Sequence, residues 1–230
     1  MKHANREFEV HKELNHPNIV RLYDCINIDD HSFATVLEYC EGPDLSMYLK
    51  QHKILPEKDA KIIIKQILAG LKYLSDHKTK IIHYDLKPQN VLFSKGEIKI
   101  SDFGLCKIVD NEASRIELTS QGVGTYWYLP PECFLMDDQP PLINNKVDVW
   151  SIGVMLFEMV YGQRPFGHNM SQEKILKEQV ILKSRTVNFP PSKVQVSNET
   201  KEFIKKCLAY NQEDRIDIYE AYDLLYFGKK

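Results

Sequence analysis

The spacing of apolar residues changes along the first 40 positions and predicts one helix followed by two strands. Residues 2–15 repeat apolar side chains four positions apart, which is typical of a helix. This helix is expected to stop before Pro17, because a proline disfavours helical backbone in the residue that precedes it. Residues 19–28 and 32–39 are short apolar runs separated by a polar turn, so we predict a pair of strands there.

The rest of the chain is predicted to be mostly helical. A long helix is expected to open at Pro56, with its apolar residues on one face: Ala60, Ile63, Ile64, Ile67, Leu68, Leu71 and Leu74. Residues 149–161 are apolar on nearly all sides, which predicts a helix buried in the core. Amphipathic helices are expected near 199–208 and 216–226. Three short apolar runs predict strands on either side of a loop: 81–82, 91–93 and 98–100. Strands followed by helices predict an α+β fold.

Composition narrows the class of protein further. The chain has 230 residues, 43% of them hydrophobic and 27% charged, which is typical of a globular protein that is soluble. A net charge of −2 gives no reason to expect nucleic acid or an anionic membrane as partner. The cysteines are scattered and odd in number, so free thiols in an intracellular, reducing compartment are expected: Cys25, Cys40, Cys106, Cys133 and Cys207.

Two motifs carry the candidate chemistry. Residues 83–90 read His-Tyr-Asp-Leu-Lys-Pro-Gln-Asn, and Asp-Phe-Gly follows at 102–104. Asp85 can accept the proton of an attacking hydroxyl, and Lys87 can neutralise charge on a phosphoryl group. Asn90 and Asp102 offer oxygen ligands for magnesium. Alone, each aspartate could be an ordinary surface or turn residue, but their order and spacing favour phosphoryl transfer.

The two motifs resemble those of the eukaryotic protein kinases. The resemblance implies a two-lobed fold, with a partial small lobe at 1–39, a hinge at 40–44 and a mostly helical catalytic lobe at 45–230. It also implies ATP and Mg²⁺ as cofactors and proteins as substrates. The Gly-rich loop of kinases is absent, because the first glycine of the chain is Gly42. The lysine of the kinase small lobe is absent as well. The chain is therefore expected to be a fragment or an incomplete gene product, with Glu7 matching the glutamate that pairs with that lysine.

The resemblance also implies where ATP contacts the chain: at Leu37, Glu38, Cys40, Asp44, Leu92 and Asp102. Backbone groups of Glu38 and Cys40 would meet the adenine edge, and Leu92 would lie beneath the ring. Asp44 could take the ribose hydroxyls, or it could cap the helix that follows, and the sequence leaves both roles open.

Four further residues are implied to support the site. Thr125 lies in a stretch that resembles the peptide-binding loop of kinases. Glu132 matches the glutamate that ends the activation segment, and Arg215 is its expected partner in a buried ion pair. Asp148 is expected to brace the catalytic loop from the central helix. Tyr84 stands where many kinases have an arginine that pairs with a phosphate, so activation through that arginine is not expected.

Lys87, two residues after Asp85, is typical of kinases that act on serine and threonine, and Thr125 points the same way. Less generic strings resemble the Tousled-like kinases: Leu-Glu-Tyr-Cys-Glu-Gly (37–42), Ile-His-Tyr-Asp-Leu-Lys-Pro (82–88) and Gly-Thr-Tyr-Trp-Tyr-Leu-Pro-Pro-Glu-Cys-Phe (124–134). That resemblance implies a nuclear enzyme of chromatin assembly and chromosome segregation, with histones or histone chaperones as substrates. The alternative is an impaired kinase or pseudokinase that acts as a binding module. The intact catalytic residues favour the enzyme.

Overall fold

The computed structural model describes residues 9–29, 32–109, 115–118, 123–135 and 140–227. Within these ranges the fold is α+β, as predicted. Residues 9–13 are helical and are called α1. The other helices are α2 Leu45–His52, α3 Glu57–Asp76, α4 Lys146–Tyr161, α5 Gln172–Lys177, α6 Val180–Lys183, α7 Asn198–Cys207 and α8 Ile218–Phe227. Short 3₁₀ turns span Pro88–Asn90, Tyr126–Tyr128 and Pro131–Phe134.

The strands of the described ranges form antiparallel pairs rather than one large sheet. They are β1 Leu22–Asn27, β2 Phe33–Leu37, β3 Lys80–Ile82, β4 Val91–Ser94, β5 Glu97–Ile100, β6 Lys107–Val109, β7 Ile116–Glu117 and β8 Leu142–Ile143. The pairs are β1 with β2, β3 with β6, β4 with β5, and β7 with β8. The two strands predicted before residue 40 are confirmed as β1 and β2, although both are shorter than their apolar runs.

Helices α3 and α4 fill the core, as their apolar patterns predict. All seven apolar residues predicted on one face of α3 are buried. Helix α4 is buried around almost its whole circumference, and Trp150 in its first half stacks on Phe166. The helix ends at Gly162, whose φ of 69° is in the left-handed region that glycine adopts without steric cost. The predicted helices near 199–208 and 216–226 are confirmed as α7 and α8.

The β-hairpin of β4 and β5 joins the amino-terminal region to this core. Ile19 forms a parallel bridge with Ile100, and the Val20 N–H donates to the Ile100 carbonyl at 2.9 Å. The residues just before β1 are thereby joined to β5. No helix within the described ranges has both the length and the apolar character needed to cross a membrane.

Glu57 ties the start of α3 to the start of α7. Its carboxylate accepts hydrogen bonds from the Ser197 N–H at 2.6 Å and the Thr200 hydroxyl at 2.6 Å, and it pairs with Lys61 at 2.6 Å. Burial alone would raise the pKa of Glu57, but these hydrogen bonds outweigh it and lower the pKa from 4.5 to about 2. The charged carboxylate therefore stabilises the fold above pH 4.5, and this contribution is lost as the pH falls towards 2.

Replacing Glu57 by glutamine is expected to lower the free energy of unfolding at pH 7 by about 1–3 kcal/mol, because several charge-assisted hydrogen bonds are weakened. Urea unfolding at pH 7 and pH 3.5 measures this, and the difference between parent and variant is expected to shrink at the lower pH. Glu202→Gln is the control, since Glu202 is exposed and pairs with Lys205 at the helix surface. A Glu57 variant as stable as this control at pH 7 would contradict the assignment.

Candidate active site

The loop between β3 and β4 is fixed to the central helix by Asp148. Its carboxylate accepts hydrogen bonds from the backbone N–H groups of His83 and Tyr84, both at 2.8 Å. Burial raises the pKa of Asp148, while nearby His83 and the two N–H donors favour the charged form. Tyr84 has a φ of 70°, which is rare for a residue with a side chain. The loop therefore has a strained backbone that the helix below it holds in place.

Asp85, Lys87 and Thr125 form a closed set of polar contacts. The Thr125 hydroxyl donates to Asp85 Oδ1 at 3.0 Å and accepts from Lys87 Nζ at 3.1 Å. Lys87 Nζ also pairs with Asp85 Oδ2. Only 6% of Asp85 is exposed. The Thr125 hydroxyl lies against its carboxylate and shields it from solvent.

Asn90 and Asp102 lie on neighbouring segments. The Asn90 amide nitrogen donates to the Asp85 carbonyl at 2.9 Å, so its amide oxygen is the atom left to bind a ligand. The Ser101 N–H donates to the Asn90 carbonyl at 2.9 Å, which places Asp102 directly after a residue bonded to Asn90. Asp102 is exposed and has a φ of 63°.

This pair of oxygen ligands fits a divalent cation of the magnesium type. Mg²⁺ prefers oxygen donors and usually binds one or two carboxylates together with waters and substrate phosphates. In the part of the chain that the structure describes, no group of three or more His, Cys, Asp or Glu side chains is arranged to hold a metal. Asn90 and Asp102 could therefore hold such a cation together with waters and substrate phosphates.

The segment after β2 runs beside β4. The Gly42 N–H donates to the Phe93 carbonyl at 3.0 Å, and a side chain at Gly42 would come within 2.7 Å of that oxygen. Asp44 is bridged to Leu92, so these two candidate ATP contacts are neighbours. Asp44 Oδ1 also accepts from the Met47 N–H at 2.8 Å and caps α2. The capping role is therefore present.

The side chain of Glu38 is held by two neighbouring groups. It pairs with Lys99 at 3.0 Å and accepts from the Arg21 N–H at 3.2 Å. Lys99 also donates to the Pro17 carbonyl at 2.8 Å. Leu37 at the end of β2 is exposed and Cys40 is half-buried. Lys99 was missed by the sequence analysis, because nothing in its spacing links β5 to this segment.

Glu132 and Arg215 form a buried, bidentate ion pair. The two guanidinium nitrogens of Arg215 donate to the two carboxylate oxygens at 2.7 and 3.0 Å. Arg215 also donates to the carbonyls of Ala209 and Lys146, and its guanidinium lies 5.0 Å from the Trp150 ring. The pair joins the end of the segment that carries Thr125 to the start of α8. Glu7 lies outside the described residues.

Tyr84 has a packing role in the structure. The sequence analysis noted only that many kinases have an arginine at this position. Its ring is buried, and Lys107 Nζ lies 5.3 Å from the ring centre. Its hydroxyl lies beside the Cys133 thiol, and burial raises the pKa of both groups. Tyr84 is therefore a packing element between the loop, β6 and the Pro131–Phe134 turn, a role that its place in the motif did not reveal.

Comparison with known proteins gives one consistent result. The chain matches the protein kinase domain family over residues 1–227. It is 59% identical over 227 residues to serine/threonine-protein kinase tousled-like 2 of Homo sapiens, which is 95% of this chain and 29% of that protein. It is 58% identical over 221 residues to serine/threonine-protein kinase TOUSLED of Arabidopsis thaliana, covering 95% of this chain and 32% of that protein. The chain thus spans about a third of the length of these relatives.

Proposed function

Because the chain belongs to the protein kinase family, we propose that it forms the catalytic domain of a serine/threonine protein kinase of the Tousled-like kind. The observation that carries the proposal is the set of contacts among Asp85, Lys87 and Thr125. It places a carboxylate, an ammonium group and a hydroxyl within hydrogen-bond reach of one another, as transfer of a phosphoryl group to a hydroxyl requires.

In this proposal Asp85 orients the substrate hydroxyl and accepts its proton as the new phosphate ester forms. Lys87 keeps the carboxylate in place and neutralises charge on the oxygens of the moving phosphoryl group. Thr125 fixes the orientation of both side chains. Bound ATP and magnesium would supply the phosphoryl group and offset the charge that develops on it, with Asn90 and Asp102 as the protein ligands of the metal.

We place the nucleotide between the segment 40–44 and β4. The pairing of Asp44 with Leu92 and the close approach of Gly42 to Phe93 support this position. On this assignment 40–44 is the hinge between two lobes, with the residues before it in the small lobe and those after it in the large lobe. Leu37 and the backbone of Glu38 and Cys40 would line the adenine side, since the Glu38 side chain is already engaged by Lys99.

The kinship with Tousled-like kinases supports a further proposal about substrates and location. We infer that the protein acts in the nucleus on histones or histone chaperones, in chromatin assembly and chromosome segregation. A binding module without catalysis is the weaker alternative, because a protein that only binds has no need for the contacts that Asp85, Lys87 and Asn90 share.

The test is a phosphotransfer assay on the full-length protein. Histones and matched peptides that differ only in a serine, threonine or tyrosine acceptor are incubated with magnesium and labelled ATP. We expect incorporation into the serine and threonine peptides to exceed that into the tyrosine peptide at least about tenfold, and to vanish when the metal is chelated. Asp102→Asn protein is the matched control and is expected to be inactive. Preference for tyrosine, or no incorporation at all, would overturn the proposal.

A further inference from the structure

The side chain of Arg164 lies against the indole of Trp127. Its guanidinium carbon is 4.1 Å from the centre of the indole ring, and the indole N–H donates to the Gly167 carbonyl at 3.1 Å. Trp127 follows Thr125 by two positions, and the Thr125 hydroxyl donates to the Asp85 carboxylate at 3.0 Å. The turn that carries Arg164 is therefore joined to the segment that lies over Asp85.

The backbone of this turn is well defined. Gly162 and Gly167, on either side of Arg164, have left-handed φ angles of 69° and 59°. A Cβ atom at Gly167 would also come within 2.9 Å of the Ile175 side chain, so both the angle and the space favour glycine there. The Arg164 N–H donates to His168 Nδ1 at 3.3 Å. Arg164 is thus presented from an ordered turn, which reduces the entropy lost when a ligand binds.

The guanidinium of Arg164 is half-buried and has no acidic partner in the part of the chain that the structure describes. Glu158 on α4 is the acid that interacts with it through space, but the Glu158 carboxylate already accepts the Tyr128 hydroxyl at 2.6 Å. Burial and the charge of Arg164 both lower the pKa of His168, so that imidazole adds no positive charge at pH 7. The N–H groups of Arg164 are left for a ligand from outside the chain.

We propose that Arg164 is a specificity-determining residue that binds an acidic group of the protein substrate, close to the serine or threonine that is phosphorylated. The acidic group is a carboxylate or a phosphate, because the oxygens of both match the paired N–H donors of a guanidinium. The inference rests on the proposed function and adds a class of substrate to it. That class comprises segments with an aspartate, a glutamate or an already phosphorylated residue near the acceptor.

The position of Trp127 brings Arg164 within reach of such a substrate. Two residues of chain span at most about 7 Å, so Trp127 lies close to Thr125 and to the place where the acceptor hydroxyl would meet Asp85. An extended substrate segment advances about 3.3 Å per residue. An acidic side chain a few residues away from the acceptor therefore comes near the Arg164 guanidinium.

A role in packing alone is the other explanation for Arg164. A guanidinium that only covers the Trp127 ring affects acidic and neutral substrates equally when it is replaced. A guanidinium that binds an acid changes the ratio of kcat/KM between an acidic substrate and a neutral one. This ratio, measured on each variant, separates the two roles.

The test measures kcat/KM of the full-length protein for serine peptides that carry a single glutamate or phosphoserine. That residue is moved from about six positions before the acceptor to about six positions after it, which covers the reach of an extended segment. The reference peptide has glutamine at the same position. We expect at least one position at which glutamate or phosphoserine raises kcat/KM of the parent at least about threefold, as a partly buried ion pair supplies.

Arg164→Gln is expected to lower that ratio to about one, while kcat/KM for the neutral peptide changes less than about twofold. Arg164→Lys keeps the charge without the paired donors, and its ratio is expected to lie between those of the parent and the glutamine variant. Arg185→Gln is the control, because the Arg185 guanidinium also lies against an aromatic ring, that of Tyr210, at 3.7 Å. This control is expected to keep the parental ratio.

The two sources of the acidic group give different results, and either result supports the inference. A ratio raised by phosphoserine alone assigns substrates that are already phosphorylated, and a ratio raised by glutamate as well assigns acidic segments in general. An active parent that prefers an acid at no position would overturn the inference and leave the proposed function intact.

A folded Arg164→Gln protein with the parental ratio would also overturn it, and so would one that loses activity equally on acidic and neutral peptides. If the glutamine variant does not fold, the lysine variant decides, because a full parental ratio there contradicts a contact made by paired donors. A parent that phosphorylates no peptide would overturn both proposals.

Discussion

Asp85→Asn in the full-length protein is expected to lower kcat at least about a hundredfold, because proton transfer by a positioned base contributes roughly 10²–10⁴-fold. The asparagine amide cannot accept the substrate proton, and it meets the Lys87 ammonium group with a nitrogen or a weaker acceptor. The hydrogen bond from the Thr125 hydroxyl is weakened for the same reason. The KM for ATP is expected to change much less than kcat, since Asp85 is assigned to the hydroxyl and not to the nucleotide.

The control for this experiment is Asp24→Asn, which removes an exposed carboxylate of β1 and is expected to leave kcat unchanged. Because Asp85 is buried, the unfolding midpoint of each variant is measured alongside its kinetics. An Asp85 variant that is folded and keeps more than a tenth of the parent kcat would rule out Asp85 as the base.

Arg215→Met is expected to lower the free energy of unfolding by about 3–5 kcal/mol, because it leaves the Glu132 carboxylate buried without its partner. The guanidinium of Arg215 is fully buried and the Glu132 side chain is 10% exposed, so water cannot replace the lost contacts. The carbonyls of Ala209 and Lys146 lose a donor as well. Chemical unfolding followed by tryptophan fluorescence measures the effect, since Trp150 lies beside the pair.

Two further variants separate the ion pair from general packing. Arg115→Met removes an arginine that pairs with Glu213 at the surface, and its effect is expected to stay within about 1 kcal/mol. The double variant Glu132→Gln with Arg215→Met is expected to lose less stability than the two single variants added together, because each single variant leaves one buried charge unpaired and the double variant leaves none. A loss below about 1 kcal/mol for Arg215→Met alone would contradict this account of the pair.

The sequence predicted the elements whose patterns extend over several turns. Helix α3 has one apolar face along 20 residues, and α4 is apolar around its circumference, so spacing alone identified both. Helices α5 and α6 have only six and four residues, too few for a period to appear. Strands β6, β7 and β8 are two or three residues long and exist only because a distant segment pairs with them. Such elements are set by tertiary contacts rather than by local pattern.

The site residues also divide into features that the sequence predicts and features that depend on tertiary contacts. The order of residues in two motifs was enough to nominate Asp85, Lys87, Asn90 and Asp102. It could not predict that Asp85 is buried, because the group that covers it, Thr125, lies 40 positions further along the chain. Nor could it predict the pairing of Glu38 with Lys99, since no spacing rule relates the segment after β2 to β5.

The bonds from Asp148 to the His83 and Tyr84 N–H groups have a consequence for how the molecule opens. The hydrogens of these amides can exchange with solvent only when their hydrogen bonds to the carboxylate break. That carboxylate belongs to the most deeply buried helix. We therefore expect the loop that carries Asp85 and the centre of the fold to open together as one cooperative unit. The β1–β2 hairpin, whose residues are largely exposed, belongs to a separate and less protected unit. Thermal fluctuations that loosen the first strands are thus expected to leave the Asp85 carboxylate in place.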